Sequence, residues 1–243
     1  MPLSATVANV PADATVSNAP AEATVSNVPA EATVSSVPVS SVPAEATVSN
    51  VPAEAKSRGL RGRQVVLKPL HFENIYKHFE WNNDPELNRL DSELPYEKET
   101  FGDFKIRFEQ MVYHPVPQNR DFEVYAEDGT LIGLAYVVNI SEPNRHCTVG
   151  VTIGDRNYWG EGHGRDSLEV LLRYCFNELH MHRVSTETFE YNEAWRNLVR
   201  DSGFQCDGIE RDYLYRDSEY YDKEIYSMLS EEYVAGRDAI PSA

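Results

Sequence analysis

A proline recurs at nine-residue intervals through the first part of the chain, and nothing else limits the possible folds as strongly. VPADATVSN from Val10, APAEATVSN from Ala19, VPAEATVSS from Val28 and VPAEATVSN from Val42 repeat one unit, interrupted by a short VPVSS at Val37. Pro11, Pro20, Pro29, Pro38, Pro43 and Pro52 remove backbone donors too often for a helix or a central strand. Ala and Val bury too little surface to offset the entropy of ordering. A stacked solenoid would need a bulky core residue in each unit, and none has one. Residues 1–59 are therefore expected to be a disordered repeat tail and hinge, residues 60–236 a folded domain, and residues 237–243 a short C-terminal tail. The basic residues Lys56, Arg58, Arg61 and Arg63 mark the hinge.

Charge narrows the partners. The chain has 243 residues and a net charge of −17. The repeats hold five acids and no base, which leaves −12 for the rest. An acidic surface argues against nucleic acid, whose phosphates need a positive patch, and suits a cationic partner. A hydrophobic share of 41% with 11% aromatic residues can build a core. Cys147, Cys175 and Cys206 lie far apart, without CxxC or Cys/His ligand spacing, so neither a disulfide framework nor a metal site is expected. The longest apolar run, Leu131 to Ile140, is too short to span a bilayer. The N-terminus lacks the basic start and apolar stretch of a signal peptide. The expectation is a soluble, cytoplasmic protein with no membrane association.

From Gln64 onward, strand and helix signals alternate. Gln64 to Leu67 reads as a strand. Phe72, Ile75, Tyr76 and Phe79 have helical spacing, Trp81 to Tyr96 reads as a polar loop, and Phe101, Phe104, Phe108, Met111 and Val112 give a second helix. Phe122–Ala126 and Leu131–Ile140 flank an Asp128-Gly129 turn. Cys147, Val149, Val151 and Ile153 alternate as a strand. Leu168, Leu171, Leu172, Cys175 and Leu179 form one helix stripe. Val184–Glu190 is another strand. Asn192 can cap a helix carrying Trp195, Leu198 and Val199, which stops at Gly203. Strands near 205–215 and 220–229 close the order, giving an α/β (α+β) domain.

The chemistry gathers at one junction. The strand ending at Ile153 is followed by three alternate glycines, Gly160, Gly162 and Gly164, and then by a helix. Glycines let backbone approach a ligand closely, and a helix start offers free N–H groups and a positive dipole end to phosphate. No Gly-Lys-Ser/Thr follows, which excludes a P-loop. The late position, without a repeated strand–helix–strand frame, disfavours a dinucleotide fold.

The run Val151-Thr152-Ile153-Gly154, four residues, then Trp159-Gly160-Glu161-Gly162-His163-Gly164 resembles the acetyl-CoA motif of the GNAT acetyltransferases, and more narrowly their RimJ/RimL branch. His182-Arg183-Val184, Asn192 eleven residues before Gly203-Phe204, and Tyr226-Ser227-Met228-Leu229 match further branch elements in order. The resemblance implies the GNAT fold, a mixed central sheet splayed between strands four and five with flanking helices. It implies acetyl-CoA as the acetyl donor. The backbone of Val151, Thr152 and Ile153 would pair with the pantetheine arm and offer an N–H to the thioester oxygen. Gly160, Gly162 and Gly164, with Trp159, Glu161, His163 and Arg165, would cradle the pyrophosphate, and Asn192 would touch the cofactor from the next turn.

An acceptor amine must lose a proton before it attacks. Glu190, near the end of the fifth strand, and His146, at the start of the fourth, are the candidate bases. By the resemblance, the loop with Trp81, Asn83, Asp84 and Glu86 walls the acceptor site, where acids attract an ammonium group. Val199 stands where the family often has a proton-donating tyrosine, and Trp195 where some branch members have a serine. Two readings follow. One is an N-acetyltransferase that acts on a primary amine of a protein N-terminus, a polyamine or a small molecule, as a monomer or homodimer. The alternative is an acyl-CoA-binding module without turnover.

Overall fold

Alternation of buried side chains builds the sheet at the centre of the molecule. The computed structural model describes residues 59–238; the expected disordered repeat tail lies outside them. Eight strands are formed: β1 Leu60–Arg61, β2 Val65–Pro69, β3 Arg120–Ala126, β4 Leu131–Ser141, β5 His146–Ile153, β6 Arg183–Phe189, β7 Gln205–Arg216 and β8 Glu219–Leu229. They lie in the order β1-β2-β3-β4-β5-β6-β8-β7. Only β5 and β6 run parallel. The other neighbours are antiparallel. The short β1, unforeseen in the sequence, raises each strand number by one, so strands four and five of the expectation are β5 and β6.

Helices cover both faces. On one face Leu168, Leu171, Leu172 and Cys175 pack on Val65, Phe122, Val124, Val149 and Val184. These helical residues come from α4, His163–Arg173, whose wider last turn runs through Glu178. The helix α5, Glu193–Asp201, adds Val199 to the same face. The other face carries a 3₁₀ turn at Phe72–Asn74 and the helices α1 Ile75–Asn82, α2 Pro85–Asp91 and α3 Phe101–Tyr113. Ile75, Phe104 and Phe108 pack between α1 and α3. The last helix, α6 Ser230–Asp238, runs two residues past the expected domain boundary, an end-effect of ordinary size.

Two expectations need correction. The stretch from Trp81 to Tyr96 is not all loop: Trp81 and Asn82 end α1, and α2 follows. Asp84 caps α2 by accepting from the N–H groups of Glu86 and Leu87, with Pro85 in the first turn. Arg61 and Arg63 belong to the folded unit rather than to a hinge. The Asp166 carboxylate on α4 accepts from the backbone N–H groups of Arg63, Gln64 and Val65 at 2.9, 2.7 and 3.0 Å, tying the chain's entry to the start of that helix.

Candidate active site

Pairing between β5 and β6 stops early, and this opens the site. The strands are in register at His146–Arg183, Cys147–Val184 and Thr148–Ser185 and no further. From Val149 to Ile153 the β6-facing edge of β5 is open. A cleft of about 510 Å³ lies along that edge. Buried alternation assigns its two sides. Val149 of β5 and Val184 of β6 face the α4–α5 layer, so Thr186 and Thr188 share that side. The intervening residues Gly150 and Glu187 face α2. The cleft therefore passes between the strands from one face of the sheet to the other.

The α4–α5 side carries the glycine loop. Gly160 and Gly162 adopt φ of 76° and 93°, where side-chain-bearing residues are strained. A Cβ at Gly160 would meet nothing within 4 Å. Gly162 caps α4, and Asp166 is the first residue whose N–H is used within the helix, leaving those of His163, Gly164 and Arg165 without a helical acceptor. Trp159 fixes the loop by donating its indole N–H to the Ile153 carbonyl at 2.6 Å. Arg165 is held by Asp201 at 2.9 Å. Asn192 caps α5 by accepting from the Trp195 N–H. The hydroxyl of Thr188 is buried in the cleft wall and, among the described residues, has no hydrogen-bond partner. An open strand edge, free helix-start donors, a glycine cradle and an unspent hydroxyl fit an extended ligand with amides and phosphates.

Of the residues expected to hold such a ligand, Val151, Thr152, Ile153, Trp159, Gly160, Gly162, Gly164, Arg165 and Asn192 line the cleft. Glu161 and His163 do not. Glu161 is exposed, and the His163 ring turns inward, edge-on to Tyr158. The two candidate bases are also elsewhere. His146 sits at the closed end of β5, where β6 is still paired, and is exposed. Glu190 lies past the end of β6 and accepts from the Asp222 N–H.

The expected acceptor wall is rearranged as well. Trp81 is buried against Leu87 and Leu134, and a Cβ at Gly154 would strike its ring. Asn83 accepts from the Glu99 N–H. Asp84 and Glu86 hold Arg156 at 2.7 and 2.8 Å and so clamp α2 to the loop before the glycines. That guanidinium holds the Asp84 carboxyl below the usual carboxylate range, its largest cause. The α2 side of the cleft is formed instead by Leu87, Leu90, Asp91, Tyr136 and Glu187. Asp84-Pro85-Glu86 is a helix-start signal, and Leu87, Leu90 and Asp91 then fall at helical spacing on one face. That signal was present in the sequence and points to Asp91.

A sheet opened between two parallel strands beside a glycine loop and helix start defines the class. The model of the acetyltransferase (GNAT) domain matches residues 64–205, and the chain belongs to that family. Acetyl-CoA is the donor for this family, which makes the chain an acetyl-CoA-dependent acyltransferase. An uncharacterized N-acetyltransferase, p20, of Bacillus licheniformis is 23% identical over 70% of this chain and 95% of its own length. A ribosomal protein uS5-alanine N-acetyltransferase of Escherichia coli (strain K12) is 26% identical over 46% of this chain and 57% of its own. Among solved structures, a spermidine N-acetyltransferase of Vibrio cholerae in complex with CoA and spermine superposes with a TM-score of 0.64 at 22% identity, covering 70% of this chain and 98% of that one. Among the described residues no helix is long and apolar enough to cross a membrane, and no cluster of His, Cys, Asp and Glu could hold a metal ion.

Proposed function

We propose that this chain, as a RimJ/RimL-like member of its family, transfers acetyl from acetyl-CoA to a primary amine. The through-sheet cleft carries the reading. Acetyl-CoA is consumed, so it is a substrate rather than a resident group. The glycine loop, the α4 start and Arg165 would hold its phosphates. The open edge of Val151 to Ile153 would hold its amides and offer an N–H to the thioester oxygen as charge develops there. The amine would enter from the α2 side, past Asp91 and Glu187. An alanine N-terminus, as in the name of the Escherichia coli relative, and a polyamine, as in that of the Vibrio cholerae enzyme, are the two acceptors to test.

The test is calorimetric titration of acetyl-CoA into the full chain and into Gly164→Trp. Gly164 keeps ordinary helical backbone, and a Cβ there meets Leu198 and Ile153 at 3.5 and 3.8 Å, normal contact distances. Because Gly164 lines the cleft, the added indole is placed to occupy it. Binding by the wild type and its loss in Gly164→Trp is the expected result. No binding by a folded wild type overturns the reading.

A binding module without turnover is favoured by one observation. Val199 is fully buried, and the Trp195 indole N–H donates to Thr186, so neither position supplies a proton to the thiolate. Thiol release with spermidine or an alanine-terminated peptide separates the two readings.

A further inference from the structure

We propose that Asp91 and Tyr136 are the proton-transfer pair of this site, Asp91 accepting the proton of the attacking amine and Tyr136 protonating the departing thiolate. The inference rests on the acetyl-transfer reading above. Its origin is a juxtaposition at the root of the splay. Tyr136 of β4 stands opposite Gly150 of β5. A Cβ on Gly150 would lie 2.2 Å from both Cζ and the hydroxyl oxygen of Tyr136. Only a glycine lets the phenol rest on the strand there, two residues past the last β5–β6 pairing. That phenol donates to Asp91 Oδ1 at 3.4 Å. Both residues line the cleft on the α2 side, where the amine would arrive.

Asp91 is held in place from both ends of its helix. Arg156 clamps Asp84 and Glu86 at the start of α2. At its C-terminal end, Arg216 of β7 donates to the carbonyls of Arg89 and Ser92 at 2.9 and 2.8 Å. The surrounding charges are spent elsewhere. Glu187 is held by Lys223, which also binds Glu93. Asp201 is held by Arg165, and Arg89 lies over the Tyr191 ring. Among the described residues no ion pair engages Asp91. Burial pushes its carboxyl up to about 6, against the opposing hydrogen bond from Tyr136. A base near that value accepts protons effectively around neutral pH.

The step balances. An amine that arrives as ammonium first loses one proton to water. Its nitrogen attacks the thioester carbonyl carbon, a C–N bond forms and the C–S bond breaks. One of its two N–H protons passes to Asp91, the other stays on the amide, and the Tyr136 hydroxyl proton passes to sulfur. Transfer from Asp91 to the phenolate resets both residues, leaving an N-acetylated amine and a free thiol. Val199 and Trp195 then need not supply the acid, because the phenol comes from β4 instead.

The experiment compares full-length wild type, Asp91→Asn, Asp91→Glu and Tyr136→Phe. Acetyl-CoA binding is read by calorimetry. Thiol release with spermidine and with an alanine-terminated peptide is followed from pH 5 to 9. Expected are acetyl-CoA affinities unchanged within about threefold and a kcat lower by about 10²–10⁴-fold in Asp91→Asn. The acid limb of kcat/KM near pH 6 should vanish in that variant, with partial recovery in Asp91→Glu and an intermediate loss in Tyr136→Phe. Wild-type kcat in Asp91→Asn, or a loss confined to acetyl-CoA affinity, overturns the proposal. So does a wild type that binds acetyl-CoA but releases no thiol with either amine. A wild type that binds no acetyl-CoA overturns the underlying reading instead.

Discussion

At the scale of the residue, Glu123 shows how one side chain can be decided by neighbours far away in sequence. It sits between Phe122 and Val124 on β3, and strand alternation alone would place it in solvent. It is fully buried instead. His71, through both its N–H and its Nδ1, together with Asn74, His78 and Tyr125, surrounds its carboxylate at 2.7 to 3.1 Å. Burial would raise its pKa, but the hydrogen bonds of His78, Tyr125, Asn74 and His71 together draw it down to about 2. A carboxyl lowered on folding contributes stability that is present above its ordinary pKa and is lost as pH falls through the lowered one. Wild type should therefore lose more stability than Glu123→Ala between pH 4.5 and 2. At neutral pH, Glu123→Ala should cost about 3–5 kcal/mol, because four partners lose a buried acceptor. Urea unfolding at several pH values checks both. An equal acid slope in the two proteins would count against this account.

At the scale of the element, α2 is the helix that the site depends on and that hydropathy concealed. Asp84 does two things at its start: it caps the helix and it pairs with Arg156. Asparagine caps as well as aspartate but carries no charge. Asp84→Asn should therefore stay within about 1 kcal/mol of wild type, since an exposed ion pair contributes little. Asp84→Ala should lose about a further 1 kcal/mol with the cap. Both variants loosen the clamp that holds Asp91 over the cleft, so the acceptor KM should rise in both while acetyl-CoA affinity holds. Thermal unfolding and steady-state kinetics separate the two effects. Equal stability in the two variants would remove the cap from the argument. Asn82, Asn83, Asp84 and Glu86 look like loop when only apolar spacing is weighed, which hides the helix. The Asp-Pro-Glu start and the Leu87–Leu90 pair carried the opposite signal.

At the scale of the whole molecule, the net charge of −17 would act on the proposed cationic acceptor before it reaches the cleft. Long-range attraction speeds the arrival of a cation and is screened as salt shortens the Debye length. The kcat/KM for spermidine should fall by roughly tenfold between low salt and 0.3 M, more steeply than for an alanine peptide of single positive charge. A salt response independent of acceptor charge would show that the acidic surface does not steer the amine.

Local patterns in the sequence were enough to determine the strands β2 to β8, most helices, the strand–glycine–helix junction, and the α4–α5 half of the cleft. Those features repeat at fixed spacing along a continuous stretch of chain. Positive φ at Gly160 and Gly162 and the free donors at the start of α4 follow from local backbone geometry. The α2 half is different. Asp91, Tyr136 and Gly150 are distant in sequence, and their meeting depends on strand register, on the departure of β6 from β5, and on the Arg156 and Arg216 contacts that fix α2. His146 and Glu190 were reasonable by position along their strands. Register put one at the closed end of the sheet and the other beyond β6, because which end of a parallel pair separates is settled by packing on both faces at once.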